Sequence, residues 1–141
     1  MDTQKLDELI RRVSLFHGLE REDVAKIFSK GMTMRALKDD VVFFKGTVGN
    51  QMYIVLGGKV GVFKGEKCIA ELHTGDMFGE MALVNKEPRS ATVKAIEASH
   101  LFVLSESTFQ YLLTKRVAVQ VLLNIVRTMS HRLKATTSSN D

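Results

Sequence analysis

Between Met32 and Ser105 the chain abandons helical periodicity and breaks into short apolar runs closed by glycine or charged turns. The runs at 41–44, 52–56, 59–63, 68–72, 91–95 and 101–104 are rich in β-branched and aromatic residues and read as strands. The segments at 45–50, 57–58, 65–66 and 73–76 carry the turn residues. Many short strands joined by glycine turns indicate a sandwich or jelly-roll barrel. Helical spacing frames this region on both sides. Residues 4–13 place Leu6, Leu9, Ile10 and Val13 on one face, and residues 20–30 carry Val24, Ile27 and Phe28 before a stop at Gly31. The expected fold is therefore mainly β with flanking helices.

A chain of 141 residues, 45% hydrophobic, fits one domain with a normal core. No apolar run is long enough to span a bilayer, and the N-terminus leads into an amphipathic helix rather than a signal-peptide core. These features predict a cytoplasmic protein without membrane contact. A single cysteine, Cys68, excludes an internal disulfide; its strand position predicts a buried thiol, the alternative being a reactive one. The net charge of +4 is spread among acids without a block of like charge, which favours a solvated surface over a nucleic-acid footprint.

After Ser105 the helical period returns, with Ser107 as N-cap and Phe109, Leu112 and Leu113 placed to fold back on the barrel. A long helix is predicted to about Ala135. Leu122, Val126, Met129 and Leu133 form a heptad-like seam, widened by Val121 and Ile125. That stripe is broad enough to pack on the chain's own barrel, to pair with a second copy, or both. The tail at 136–141 reads as polar and frayed.

The densest chemistry lies in Gly75-Asp76-Met77-Phe78-Gly79-Glu80-Met81-Ala82-Leu83 and Pro88-Arg89-Ser90-Ala91-Thr92-Val93. A glycine turn opening a short helix offers backbone N–H groups to an anion, here those of Gly79, Met81 and Ala82. Arg89 can clamp the same anion through two parallel charge-assisted bonds, with a further donor from the Ala91 backbone. Glu80 repels phosphate but accepts a hydrogen bond from a ribose hydroxyl. One sugar hydroxyl beside one singly charged phosphate describes a cyclic nucleotide. Ser90 either reaches the purine or phosphate or is a plain strand serine.

The run F-G-E-M-A-L…P-R-S-A-T-V resembles the phosphate-binding cassette of the cyclic-nucleotide-binding domain family, which includes catabolite-activator transcription factors, kinase regulatory subunits and gated channels. The resemblance covers nearly the whole chain. It implies a single domain over 1–141: an N-terminal helical pair at 4–30, an eight-stranded jelly-roll β-barrel at 32–105 with the cassette at 79–93, and a long C-terminal helix at 107–135. Phe78 opens the matching run and is counted among the ligand-binding residues, and by family position Val60 and Ile69 form the apolar wall for the base. The segment 129–137 resembles the end of the dimer helix in catabolite activators, which implies that Thr136 and Thr137 meet the adenine amino group; a frayed tail is the other reading.

The activators continue into a helix-turn-helix, whereas nothing after residue 135 here could place a recognition helix in a groove. Direct DNA binding is therefore not expected, and the chain reads as a standalone sensor or a segment of a longer protein. His17, His73, His100 and His131 are scattered, so no metal site is expected. No nucleophile elbow or Walker loop is present, so no enzyme and no cofactor are expected either. The expected function is an allosteric receptor for cAMP, with cGMP as the alternative that Ser90 permits. Its C-terminal helix would move on binding, with Leu83 and Phe109 as relay, and would regulate a homodimer or an effector protein. A ligand-independent dimerisation adaptor on the same fold is the rival; it would have no need of both Glu80 and Arg89.

Overall fold

The computed structural model describes residues 3–112 and 115–140. It opens with α1 (Thr3–Arg12), a 3-10 turn at Ser14–Phe16 and α2 (Arg21–Lys30). Leu6 and Val13 of the predicted stripe are buried, as are Leu15 and Phe16 of the turn. The start of α2 is fixed by a capping box in which the Glu20 N–H donates to Asp23 Oδ2 at 3.2 Å. Arg21 forks onto both carboxylate oxygens of Asp7 at 2.9 Å and ties α2 to α1.

Eight strands follow: β1 (Met32–Ala36), β2 (Val41–Phe43), β3 (Gln51–Gly57), β4 (Val60–Lys64), β5 (Lys67–Leu72), β6 (Met77–Phe78), β7 (Thr92–Ala95) and β8 (Ser99–Ser105). They form two antiparallel four-stranded sheets, in the orders β1-β8-β3-β6 and β2-β7-β4-β5. The sheets face each other as an open roll rather than a closed barrel. Their edges β6 and β2 hold only two and three residues, too short a ladder to join them. Two strands escaped the apolar-run reading. Strand β1 is an edge, largely exposed, and shows no alternation, while β6 is too short to show any.

The placement of β3 explains why its sequence runs from Met52 to Leu56 without a charged or amide residue. Met52 and Ile54 face the helices, in one core with Leu15, Phe16, Phe102, Leu104, Phe109 and Ile125. Tyr53 and Val55 face the other way, into a core between the sheets with Val60, Phe78, Val93, Leu101 and Val103. Both faces of the strand are covered, so period-two alternation vanishes.

Helix α3 (Glu106–Leu112) leads to α4 (Lys115–Asn140). The cap of α3 is Ser105, not Ser107: Ser105 Oγ accepts the Thr108 N–H at 3.2 Å, because the helix starts one residue after β8 ends. Phe109 folds back as expected, while Leu113 and the Leu112 side chain lie outside the described residues. On α4, Val117, Val121 and Ile125 are buried at four-residue steps, whereas Leu122, Val126, Met129 and Leu133 are exposed. The broad stripe therefore splits: one edge packs on the chain's own N-terminal turn and core, Leu122 and Val126 stay uncovered in the single chain, and Met129 and Leu133 turn toward a cavity described below. The backbone of 136–140, expected to fray, continues the helix.

Candidate functional site

A cavity of about 550 Å³ opens between the cassette, the inner face of the roll and the end of α4. Gly79 caps the 3-10 helix Glu80–Leu83 in the left-handed conformation, φ 72°, which admits glycine without strain. This helix is a single turn, and its Ala82 N–H donates to Gly79 O at 3.2 Å, so that amide is spent within the turn. A single turn has a weak dipole, and the positive charge of the site rests on side chains.

Arg89 lines the cavity floor. Its backbone is pinned on both sides to the β2–β3 loop, donating from N to Thr47 O and accepting at O from Gly46 N, both at 2.8 Å. Its guanidinium donates to Gln51 O at 2.7 Å and Gly79 O at 3.2 Å and lies 4.2 Å from the Phe43 ring centroid. The Nε–H is buried without a hydrogen-bond partner among the described residues. Burial pulls the Arg89 guanidinium below its ordinary value, against the opposing influence of Tyr53 and Glu80.

Glu80 is buried, 4% exposed, and its charge is met from α4. Arg132 Nη1 donates to Glu80 Oε1 at 2.5 Å, and Nη2 donates to Met77 O at 2.7 Å. The Glu80 ion pair thus joins two residues that line the cavity, one of them from the far end of the chain.

The cavity brings together Phe78, Gly79, Glu80, Met81, Ala82, Arg89, Ser90 and Ala91 of the expected site. Val60 and Ile69, expected at the wall for the base, are not among the residues that line it. Val60 shares the inner face with Val62 but is sealed at 0% exposure in the core between the sheets, leaving Val62 at the wall. Ile69 falls at a register shift: Val62 pairs with Ala70 and Phe63 with Cys68, so Ile69 is the extra residue of a bulge and is exposed. Ala70 and Leu72 of the same strand line the cavity. The Thr136 and Thr137 side chains lie outside the described residues. Cys68, expected buried, is exposed on the edge strand and its thiol points back to Ala70 O at 3.3 Å. Among the described residues no helix is long and apolar enough to cross a membrane, and no group of three or more His, Cys, Asp or Glu side chains could hold a metal ion.

Sequence reasoning missed Arg132, Phe43 and Glu87 at the cavity, and it assigned Met129 and Leu133 to a helix seam alone. The sequence shows only that positions 129, 132 and 133 share one helical face; the burial of Glu80, which calls for a cation, appears with the fold.

The sequence profile of the cyclic nucleotide-binding domain matches residues 33–116, more than half of the chain. The chain belongs to the cyclic nucleotide-binding domain family. This cyclic nucleotide-binding module is 32% identical over 125 residues to the cyclic AMP receptor protein of Thermus thermophilus, a match covering 85% of the chain and 57% of the relative. It is 31% identical over 107 residues to the cAMP-dependent protein kinase regulatory subunit of Hypocrea atroviridis, covering 76% of the chain and 23% of the relative. The solved structure of the Thermus thermophilus catabolite activator protein superposes with a TM-score of 0.80 at 29% identity, covering 91% of the chain and 62% of that protein. The module thus spans between about a quarter and three-fifths of the length of these relatives.

Proposed function

We propose that this module is a receptor for cAMP, with cGMP as the weaker ligand, that couples nucleotide binding to the position of α4. The observation that carries this reading is the convergence of Glu80, Arg89 and Arg132 on one cavity. Arg89 supplies the charge for the cyclic phosphate, and its unpartnered Nε–H, together with the ends of its fork, supports that role. Glu80 accepts the ribose 2′-hydroxyl, sharing its carboxylate with Arg132. Val62, Ala70 and Leu72 present an apolar wall to the base, and Met129 and Leu133 of α4 cover it. Thr136 and Thr137 follow Arg132 by about one helical turn, the basis for favouring adenine; the two relatives with cAMP in their names support the same choice.

The coupling is a population shift. A nucleotide that inserts at Glu80 changes what Arg132 holds, and the end of α4 settles differently over the cavity. Leu83 behind the cassette and Phe109 of α3 belong to one core and form the relay. The output is a cytoplasmic homodimer formed through the exposed seam of α4, or an effector protein that reads it, without DNA contact by this domain and without catalysis. The exposed seam would equally serve a ligand-independent adaptor.

Calorimetric titration separates the two. cAMP should saturate near one per chain, cGMP should bind more weakly, and Arg89→Ala should abolish both. At a hundred times its dissociation constant the ligand should add about 2.7 kcal/mol to stability. Absence of heat and of any melting shift with either nucleotide, in protein shown to carry none, would leave the adaptor.

A further inference from the structure

The β2–β3 loop holds a residue whose role lies entirely in what it lacks. Gly49 has an ordinary backbone conformation, so no strain requires glycine there. A Cβ at this position would fall 2.8 Å from Arg89 Cζ and Nε, and closer still to Nη2. All three near atoms belong to the end of one flexible side chain. An added methyl would therefore displace the guanidinium and leave the backbone where it is.

We propose that Gly49 is a positioning residue for Arg89: its bare Cα lets the guanidinium sink onto Gln51 O, Gly79 O and the Phe43 ring, which fixes the plane and depth at which Arg89 faces the cavity. The seat is visible in the chain alone; its consequence for ligand rests on the nucleotide reading above. A displaced guanidinium loses two carbonyl partners and moves into the space of the anion it should meet. Gly57 provides the matched control, because a Cβ there meets nothing within 4 Å and its φ is also outside the left-handed region.

The test compares Gly49→Ala, Gly57→Ala, Arg89→Ala and the double variant Gly49→Ala/Arg89→Ala by thermal melting and by cAMP titration. Gly49→Ala should weaken cAMP about ten- to a hundredfold, the loss of a charge-assisted contact, while Gly57→Ala binds as the parent does. Gly49→Ala should lower the melting temperature by about 3–8 °C when Arg89 is present and leave it unchanged in the Arg89→Ala background. Unaltered cAMP affinity in Gly49→Ala, or an equal melting loss with and without Arg89, overturns the proposal. If the parent chain takes up neither cAMP nor cGMP, the receptor reading fails, and the melting comparison still decides the seat.

Discussion

Arg132 near the end of α4 and Glu80 in the cassette, 52 positions apart, meet in a charge-assisted hydrogen bond of 2.5 Å. The Glu80 side chain is 5% exposed and the Arg132 side chain 45%. Removing a partner from such a pair leaves a buried charge alone, which is the costly way to break it. Arg132→Ala should therefore destabilise the free chain by about 1–3 kcal/mol, discounted from the fully buried case because Arg132 reaches water. In the Glu80→Gln background the same change should cost clearly less, the non-additivity being the signature of the contact. Equal losses in both backgrounds, by chemical denaturation, would show that the pair contributes no coupling.

A second polar tie holds the other half of α4. Asn124 is 3% exposed, and its Nδ2 donates to Leu15 O at 2.9 Å and His17 O at 2.8 Å. Asn124→Ala strands two carbonyls and should cost about 2–4 kcal/mol. Asn124→Asp keeps the shape but turns a donor into an acceptor facing two acceptors, and should cost at least as much. Denaturant midpoints of the two variants decide this; an unperturbed Asn124→Asp would contradict it.

The two edges of the α4 stripe should respond oppositely to charge. Val121 is 0% exposed in the single chain and Val126 is 62% exposed. Val121→Glu should lower stability by more than about 3 kcal/mol. Val126→Glu should leave melting of a dilute sample nearly unchanged and shift sedimentation from dimer to monomer. A parent chain that sediments as a monomer at every concentration would remove the homodimer from the account.

Tyr53 predicts an alkaline limb. Burial raises its phenol above the ordinary 10.0, and the nearby Arg89 only partly offsets this. The folded chain favours the neutral phenol. That contribution is fully present below about pH 10 and is lost as pH rises through the raised value. Tyr53→Phe should flatten the decline in melting temperature in that window, and an identical decline in both proteins would rule Tyr53 out.

The β runs, the flanking helices and the Glu80–Arg89 core of the cavity were legible because each leaves a local signal: period, turn residues or a charge beside a glycine. What stayed hidden depends on distance. The bulge that turns Ile69 outward exists only in the pairing of β5 with β4. Val60 and Val62 share one strand face, and only the depth of the opposing sheet decides which meets the cavity. Arg132 looks like any helix-surface cation until the fold brings α4 over the cassette, and Gly49 looks like any loop glycine until Arg89 lies beneath it.

Nucleotide in the cavity should be felt by α4. Amide hydrogen exchange of the α4 segment 126–134, with and without saturating cAMP, tests it most directly. Uptake should change clearly there and in the cassette, with the segment around Asn124 altered little and Glu80→Gln blunting the α4 response. Protection of the cassette with identical uptake along α4 would contradict the coupling and reduce the module to a nucleotide binder with a static helix.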